Sequence, residues 1–250
     1  MDTLRRHYGY NTILFLLLIV LVSCQRASNT TATKIRSVNS VKIAGAMRNV
    51  MHKGEVSGVI DLDTIKNKTH LYGLGPLEGL AGEILVIDGK GYKSTVDSAA
   101  TMQVTETFEM KAPFFVYANV DTWSEANLPD SVSTLADLDR YLDLAAKDLP
   151  GQFCFRLTAT IERSTIHIVN LPLGSKVSSP EEAHLGQVNY ELVNADVELV
   201  GFFSKKHKGV LTHHDTNIHV HLITTDKEMM GHLDKLKLQS GTARLFLPAR

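Results

Sequence analysis

Apolar positions along the chain recur with two different periods, and the changes of period mark where strands and helices should lie. Between Val41 and Glu55 they fall at 43, 46, 47 and 50, a helical spacing that closes on His52-Lys53-Gly54, so a helix is predicted there. "SGVIDLDTI" follows, and then "YGLGPLEGLAGE" (72–83), whose glycines read as a loop. In "ILVIDGKGYKS" two short apolar runs flank Asp88-Gly89, the signature of a tight hairpin, and "MQVT" and "PFFVYANV" continue the strand pattern. Residues 134–149 carry Leu135, Leu138, Leu142, Ala145 and Leu149 on one helical face, stopped by Pro150-Gly151. "FCFRLTATIERSTIHIV" then alternates, with Phe153, Phe155, Leu157, Ala159 and Ile161 on one side and Cys154, Arg156, Thr158 and Thr160 on the other. "VELVGFFS", "GVLTHHDTNIHVHLITTD" and "TARLFLP" complete the strand-rich end. The expectation is an α/β chain of the α+β kind, with a strand-rich half over 41–149 and another over 150–250.

The first forty residues follow other rules. "MDTLRRHYGYNTILFLLLIVLVSC" places Arg5 and Arg6 before an unbroken apolar run from Ile13 to Val22. As a helix that run spans about 15 Å, half a bilayer core, which fits a signal peptide better than a membrane span. "LVSC" resembles the bacterial lipobox, which implies lipidation of Cys24 and an exported protein tethered by residues 25–40; simple secretion or an uncleaved anchor are the other readings. With Cys24 lipidated, Cys154 is the remaining cysteine and no internal disulfide can form.

Composition then narrows the partners. A content of 44% hydrophobic residues is enough for a packed core, and a net charge of -1 provides no positive field for nucleic acid or an anionic membrane surface. A lipid anchor would be the sole membrane contact, leaving a small molecule as the expected partner.

Candidate chemistry concentrates in "NIHVHLITTDKEMMGHLDKL" (217–236). On a strand His219 and His221 share one face while Ile218, Val220 and Leu222 take the other, and His232 follows eleven residues after His221. Zinc sites use such a close pair with a distant third ligand. On spacing alone a metal site and a set of hydrogen-bonded imidazoles both remain open. His213 and His214 add competing ligands, of which one at most could join the pair. The cupin and metallo-β-lactamase patterns both fit poorly: the first lacks its glycine, and the second has Ile223 where it needs Asp.

With "LGPLEGLAGEILVIDGKGY", "FCFRLTA", "GFFSKKHKGVLTHHDTNIHVHLITTDKEMMGHLDKL" and "LFLP" in this order, the chain from about residue 50 to 248 resembles the α-acetolactate decarboxylase family. The resemblance implies two linked mixed-sheet units with a zinc ion between them, a possible homodimer, and conversion of 2-acetolactate, a 2-hydroxy-3-oxo acid, to acetoin and carbon dioxide. It implies His219, His221 and His232 as zinc ligands, Glu83 of the Leu80-Ala81-Gly82-Glu83 turn as a proton carrier, and Arg156 as the arginine near the metal, able to orient the substrate carboxylate or to stabilise the enediolate. Pro76 and Ala81 depart from the family's Thr and Asp, and no glutamate follows Glu228 to match the acidic residue of its tail. An exported zinc-containing small-acid binder without turnover is the alternative expectation.

Overall fold

Asp88 and Gly89 both take positive φ, 47° and 79°, the geometry that lets a two-residue turn match the twist of the strands it joins. They connect Glu83–Ile87 and Lys90–Val96, as the sequence predicts. The computed structural model describes residues 40–249 apart from 146 and 148, all within one compact unit. The proposed leader, Cys24 and the tether as far as residue 39 lie outside the described residues.

The elements in chain order are β1 (Lys42–Ala44), α1 (Met47–Lys53), β2 (Ile60–Asp61), β3 (Leu71–Pro76), β4 (Glu83–Ile87), β5 (Lys90–Val96), β6 (Met102–Glu106), β7 (Lys111–Ala112), β8 (Phe115–Asn119) and β9 (Trp123–Ala126). They continue with α2 (Leu135–Ala145), β10 (Gln152–Ile168), α3 (Pro180–Ala183), β11 (Val188–Ser204), β12 (Ile218–Thr224), β13 (Met230–Leu238) and β14 (Arg244–Pro248). One six-stranded sheet runs β1-β8-β3-β4-β5-β6 and a second runs β11-β12-β13-β10-β14-β9. Strand β10 also pairs with β11, so β10, β11, β12 and β13 close into a ring. The α+β class is as predicted, although the ladders of both sheets are antiparallel rather than mixed. The second sheet also takes in β9, from the chain before α2.

Two local predictions are corrected. The helix predicted from residue 43 begins at Met47, because Lys42–Ala44 extends along β8 and Gly45 breaks away at φ 70°. The first half of the glycine-rich segment is strand β3 rather than loop. A Cβ at Gly73 would lie 2.4 Å from the Phe115 ring, so glycine here admits a neighbouring aromatic instead of a turn. Helix α2 starts where its pattern does: Thr134 and Asp137 cap it reciprocally, each backbone N–H donating to the other's side chain, and Leu138 and Leu142 are fully buried.

The ring encloses one apolar cluster, with Phe153, Phe155, Leu157, Leu199, Val220, Leu222 and Leu233 among its buried members. A second cluster joins the outer face of β11 and β12, through Val200, Phe202 and Ile223, to Tyr72, Leu74, Leu85 and Val116 of the first sheet. Burying a side chain such as Leu or Phe contributes about 1.5–3 kcal/mol, so this seam fixes the two sheets face to face. The alternation of β12 then has one outcome: Val220 and Leu222 enter the ring, and His219 and His221 enter the seam.

Candidate metal centre

Three strands, β12, β13 and β10, converge on the histidines. His221 stands opposite His232 across β12 and β13, and His232 stands opposite His167 across β13 and β10. Directly opposed residues share a face, so all three imidazoles meet beside His219. Ring centroids lie 5.2 Å apart for His219 and His221, 4.9 Å for His219 and His232, and 5.4 Å for His221 and His232. One nitrogen from each of these three falls within 4.8 Å of the others, a spacing able to hold a metal ion.

The protonation pattern suits ligands. The Nδ1–H of His219 donates to the carbonyl of Leu211 at 3.1 Å, which leaves Nε2 bare and facing Nδ1 of His232 at 3.1 Å. Burial pushes His219 and His232 well below the usual imidazole range and lowers His221 to about 3, so all three are neutral donors at ordinary pH. His221 is fully buried, and neither of its nitrogens has a hydrogen-bond partner. An orphaned buried nitrogen costs roughly 1–3 kcal/mol, and a metal ion among the three rings would remove that cost.

Glu83 faces this group from the first sheet. It is the first residue of β4, on the same face as Leu85 and Ile87, and Gly82 before it has φ 152° with Ser94 O 2.2 Å from where a Cβ would stand. Its Oε1 accepts from Val169 N–H at 3.3 Å, and its Oε2 lies 3.6 Å from His221 Nε2. Burial raises its carboxyl well above the usual range, against the pull of the Val169 N–H, and so favours the protonated acid.

The structure places Arg156 elsewhere. It sits on the same rung as His221, two ladders away through Val200. Its Nε is 3.2 Å from Glu198 and its guanidinium stacks 4.9 Å over Phe246. It lines neither the small cavity that holds Glu83 and His219 nor the cleft of about 820 Å³ that opens beyond His232.

Residues outside the expected ligand and catalytic set occupy that neighbourhood, among them His213, which the sequence offers as a competing ligand. His167 packs 4.7 Å from His232 and is hydrogen-bonded to Asp234, and His213 stands 5.3 Å from His232. Asp139 of α2 pins the segment carrying His213, accepting from the Thr216 hydroxyl, Asn217 N–H and the Asn217 amide at 3.0–3.1 Å. Only His213 had a local signal, in its adjacency to His214. The partners of His167 and Asp139 lie more than sixty residues away.

The fold and site define a two-sheet α+β protein with an enclosed three-histidine centre, of the kind that suits a borderline metal ion. The profile of the family described as alpha-acetolactate decarboxylase matches residues 44–246, and the chain belongs to that family. It is 27% identical over 201 residues to an alpha-acetolactate decarboxylase of Methanosarcina mazei, covering 77% of this chain and 64% of that protein. A Lactococcus lactis alpha-acetolactate decarboxylase is 24% identical over 184 residues, covering 69% of this chain and 70% of that one. Among solved structures, the Bacillus subtilis strain 168 alpha-acetolactate decarboxylase superposes with a TM-score of 0.66 at 18% identity, covering 84% of this chain and 86% of that one. A Staphylococcus aureus protein of unknown function similar to alpha-acetolactate decarboxylase gives 0.63 at 14% identity, covering 83% and 84%. At such identity these structures speak for the fold.

Proposed function

We propose that the protein holds a zinc ion on His219, His221 and His232 and decarboxylates 2-acetolactate to acetoin and carbon dioxide. The observation that carries this reading is His221, sealed in the seam with both nitrogens unpartnered beside two neutral imidazoles at ligand spacing. Zinc bound there would supply the electron-withdrawing centre that a 3-oxo acid needs while its carboxylate leaves. The C1–C2 bond breaks, carbon dioxide departs, and the electron pair left at C2 must take a proton. Glu83, whose protonated form burial favours beside His221, would deliver that proton. The seam shields the three rings from bulk water, and the cleft beyond His232 gives a small acid its way in.

Arg156 enters this reading as a substrate-orienting group only if its contacts with Glu198 and Phe246 open, and that pairing favours the alternative of a binder without turnover. Incubating the purified protein with racemic acetolactate, with and without chelator, separates the two. Chelator-sensitive acetoin is expected. Stoichiometric zinc without acetoin would leave the binder, and no bound metal would refute both. From the sequence alone we add that the protein is exported and anchored through lipid on Cys24.

A further inference from the structure

Three lysines meet on the surface beside the point where the described chain begins. Lys147, just past α2, and Lys205 and Lys206, just past β11, line one pocket of about 150 Å³ together with Pro150, Gly151 and Phe203. Asp143 is the one acid among the described residues lining it, and it is ion-paired with Lys205. Lys147 and Lys206 are exposed, and neither ammonium has an ion-pair or hydrogen-bond partner among the described residues. Three lysines against one aspartate leave the pocket a local positive excess that the whole-chain charge of -1 conceals. Leu144, beside Asp143 on α2, is 65% exposed, among the few large apolar side chains left to solvent. The place of the pocket follows from one rung of the second sheet. Gln152, next to Gly151, stands opposite Ser204, next to Lys205, and its side-chain amide donates to the carbonyl of Val41 at 3.4 Å. The chain coming in from residue 40 therefore joins the fold beside the pocket wall.

We propose that this pocket seats the phosphate of an anionic phospholipid headgroup, so that the domain lies with its lysine face on the membrane that holds its N-terminal end. This rests on the reading of the chain as membrane-anchored. A phosphate diester is a compact anion that accepts hydrogen bonds, and an ammonium offers three donors on a flexible stem, which suits a headgroup layer without fixed geometry. The exposed leucine adds an apolar side chain able to enter the headgroup boundary. One lysine near an anionic surface contributes about fivefold in affinity, and its field fades within about 8 Å at physiological salt. Two unpaired lysines thus recruit a free domain weakly. Beside an anchored segment they act at high effective concentration, and there they are enough to orient the domain.

The test takes the full chain, purified in detergent and reconstituted into vesicles of phosphatidylcholine alone or of phosphatidylcholine and phosphatidylglycerol in equal parts, and reads amide exchange at residues 203–208. On the mixed vesicles these amides should exchange several-fold more slowly than on the neutral ones. The difference should vanish at about 1 M salt, where the screening length is about 3 Å. It should also vanish in the double variant Lys147→Gln, Lys206→Gln and return in Lys147→Arg, Lys206→Arg, which keeps both charges. A difference that survives in the glutamine pair would overturn the proposal. So would slowing by soluble glycerophosphate equal to that by the vesicles, which would mark a pocket for free phosphate esters. Docking and anchoring fail separately. Equal exchange by a chain that floats with both vesicle types would overturn docking and leave the anchor standing, whereas weak, salt-sensitive flotation with the mixed vesicles alone would support docking and remove the anchor.

Discussion

Without a bound metal, the fold should be sensitive to acid in a window that the site itself sets. Unfolded histidine takes a proton near pH 6.5, whereas His219 and His221 in the folded protein remain neutral far below that, His221 to about 3. His232, partly open to the cleft, is shifted the same way. Between these limits the unfolded chain binds more protons than the folded one, so stability falls as pH falls. Glu83 works in the opposite sense. Its folded pKa is raised, so above about pH 4.5 the folded state keeps a proton that the unfolded chain has lost, and stability from this group declines as pH rises. From pH 6.5 to 4.5 the histidines prevail by roughly one to two protons, or about 1.4–2.7 kcal/mol per pH unit. Against a typical stability of about 5–15 kcal/mol, two units of acidification remove a large share. Urea unfolding of chelator-treated protein at half-unit steps measures the slope, and Glu83→Gln should steepen it by about one proton. A flat profile over this window, or a Glu83→Gln slope equal to the parent's, would refute the view that three neutral imidazoles and a protonated acid share the seam.

His221→Ala should abolish stoichiometric zinc measured by elemental analysis, and with it acetoin formation. Arg156→Met should keep kcat within a few fold while lowering stability by about 1 kcal/mol or less, because part-exposed Glu198 loses its ion-pair partner; a hundredfold fall in kcat would restore Arg156 to the chemistry. Asp139→Ala removes three hydrogen bonds that hold the segment of His213, so KM should rise severalfold and the 213–217 amides should exchange faster. Cys24→Ser should release the protein from the membrane fraction, and an unchanged distribution on fractionation would refute lipid anchoring.

The strands of this fold are legible because their periodicity is local. The Asp88-Gly89 hairpin, the capped helix at Thr134 and the alternation from Phe153 to Ile161 each follow from residues within one element. What escapes is set by partners distant in sequence. Gly73 makes a strand because Phe115 packs onto it, and β9 joins the second sheet because β14 ends beside it. The pair His219 and His221 was readable from strand period alone, since both belong to seven consecutive strand residues.

His167 shows how far that logic reaches. Strict alternation from Phe153 would put every odd residue of β10 into the ring, with His167 among Leu157 and Ile161. In the ladder with β13, however, Glu162 of β10 is skipped between Ile161 and Arg163, and Asp234 of β13 is skipped opposite the step from Thr165 to Ile166. Beyond these irregularities it is Ile166 that enters the ring core, and His167 turns outward to face His232. A change of one residue in register moves a side chain from one face of a sheet to the other. The placing of His167 beside the three imidazoles therefore depends on one skipped residue in β10 rather than on any motif. Arg156, on the regular stretch, shares a rung with His221 but lines neither cavity, while His167 lines both through a distortion that the sequence pattern does not display.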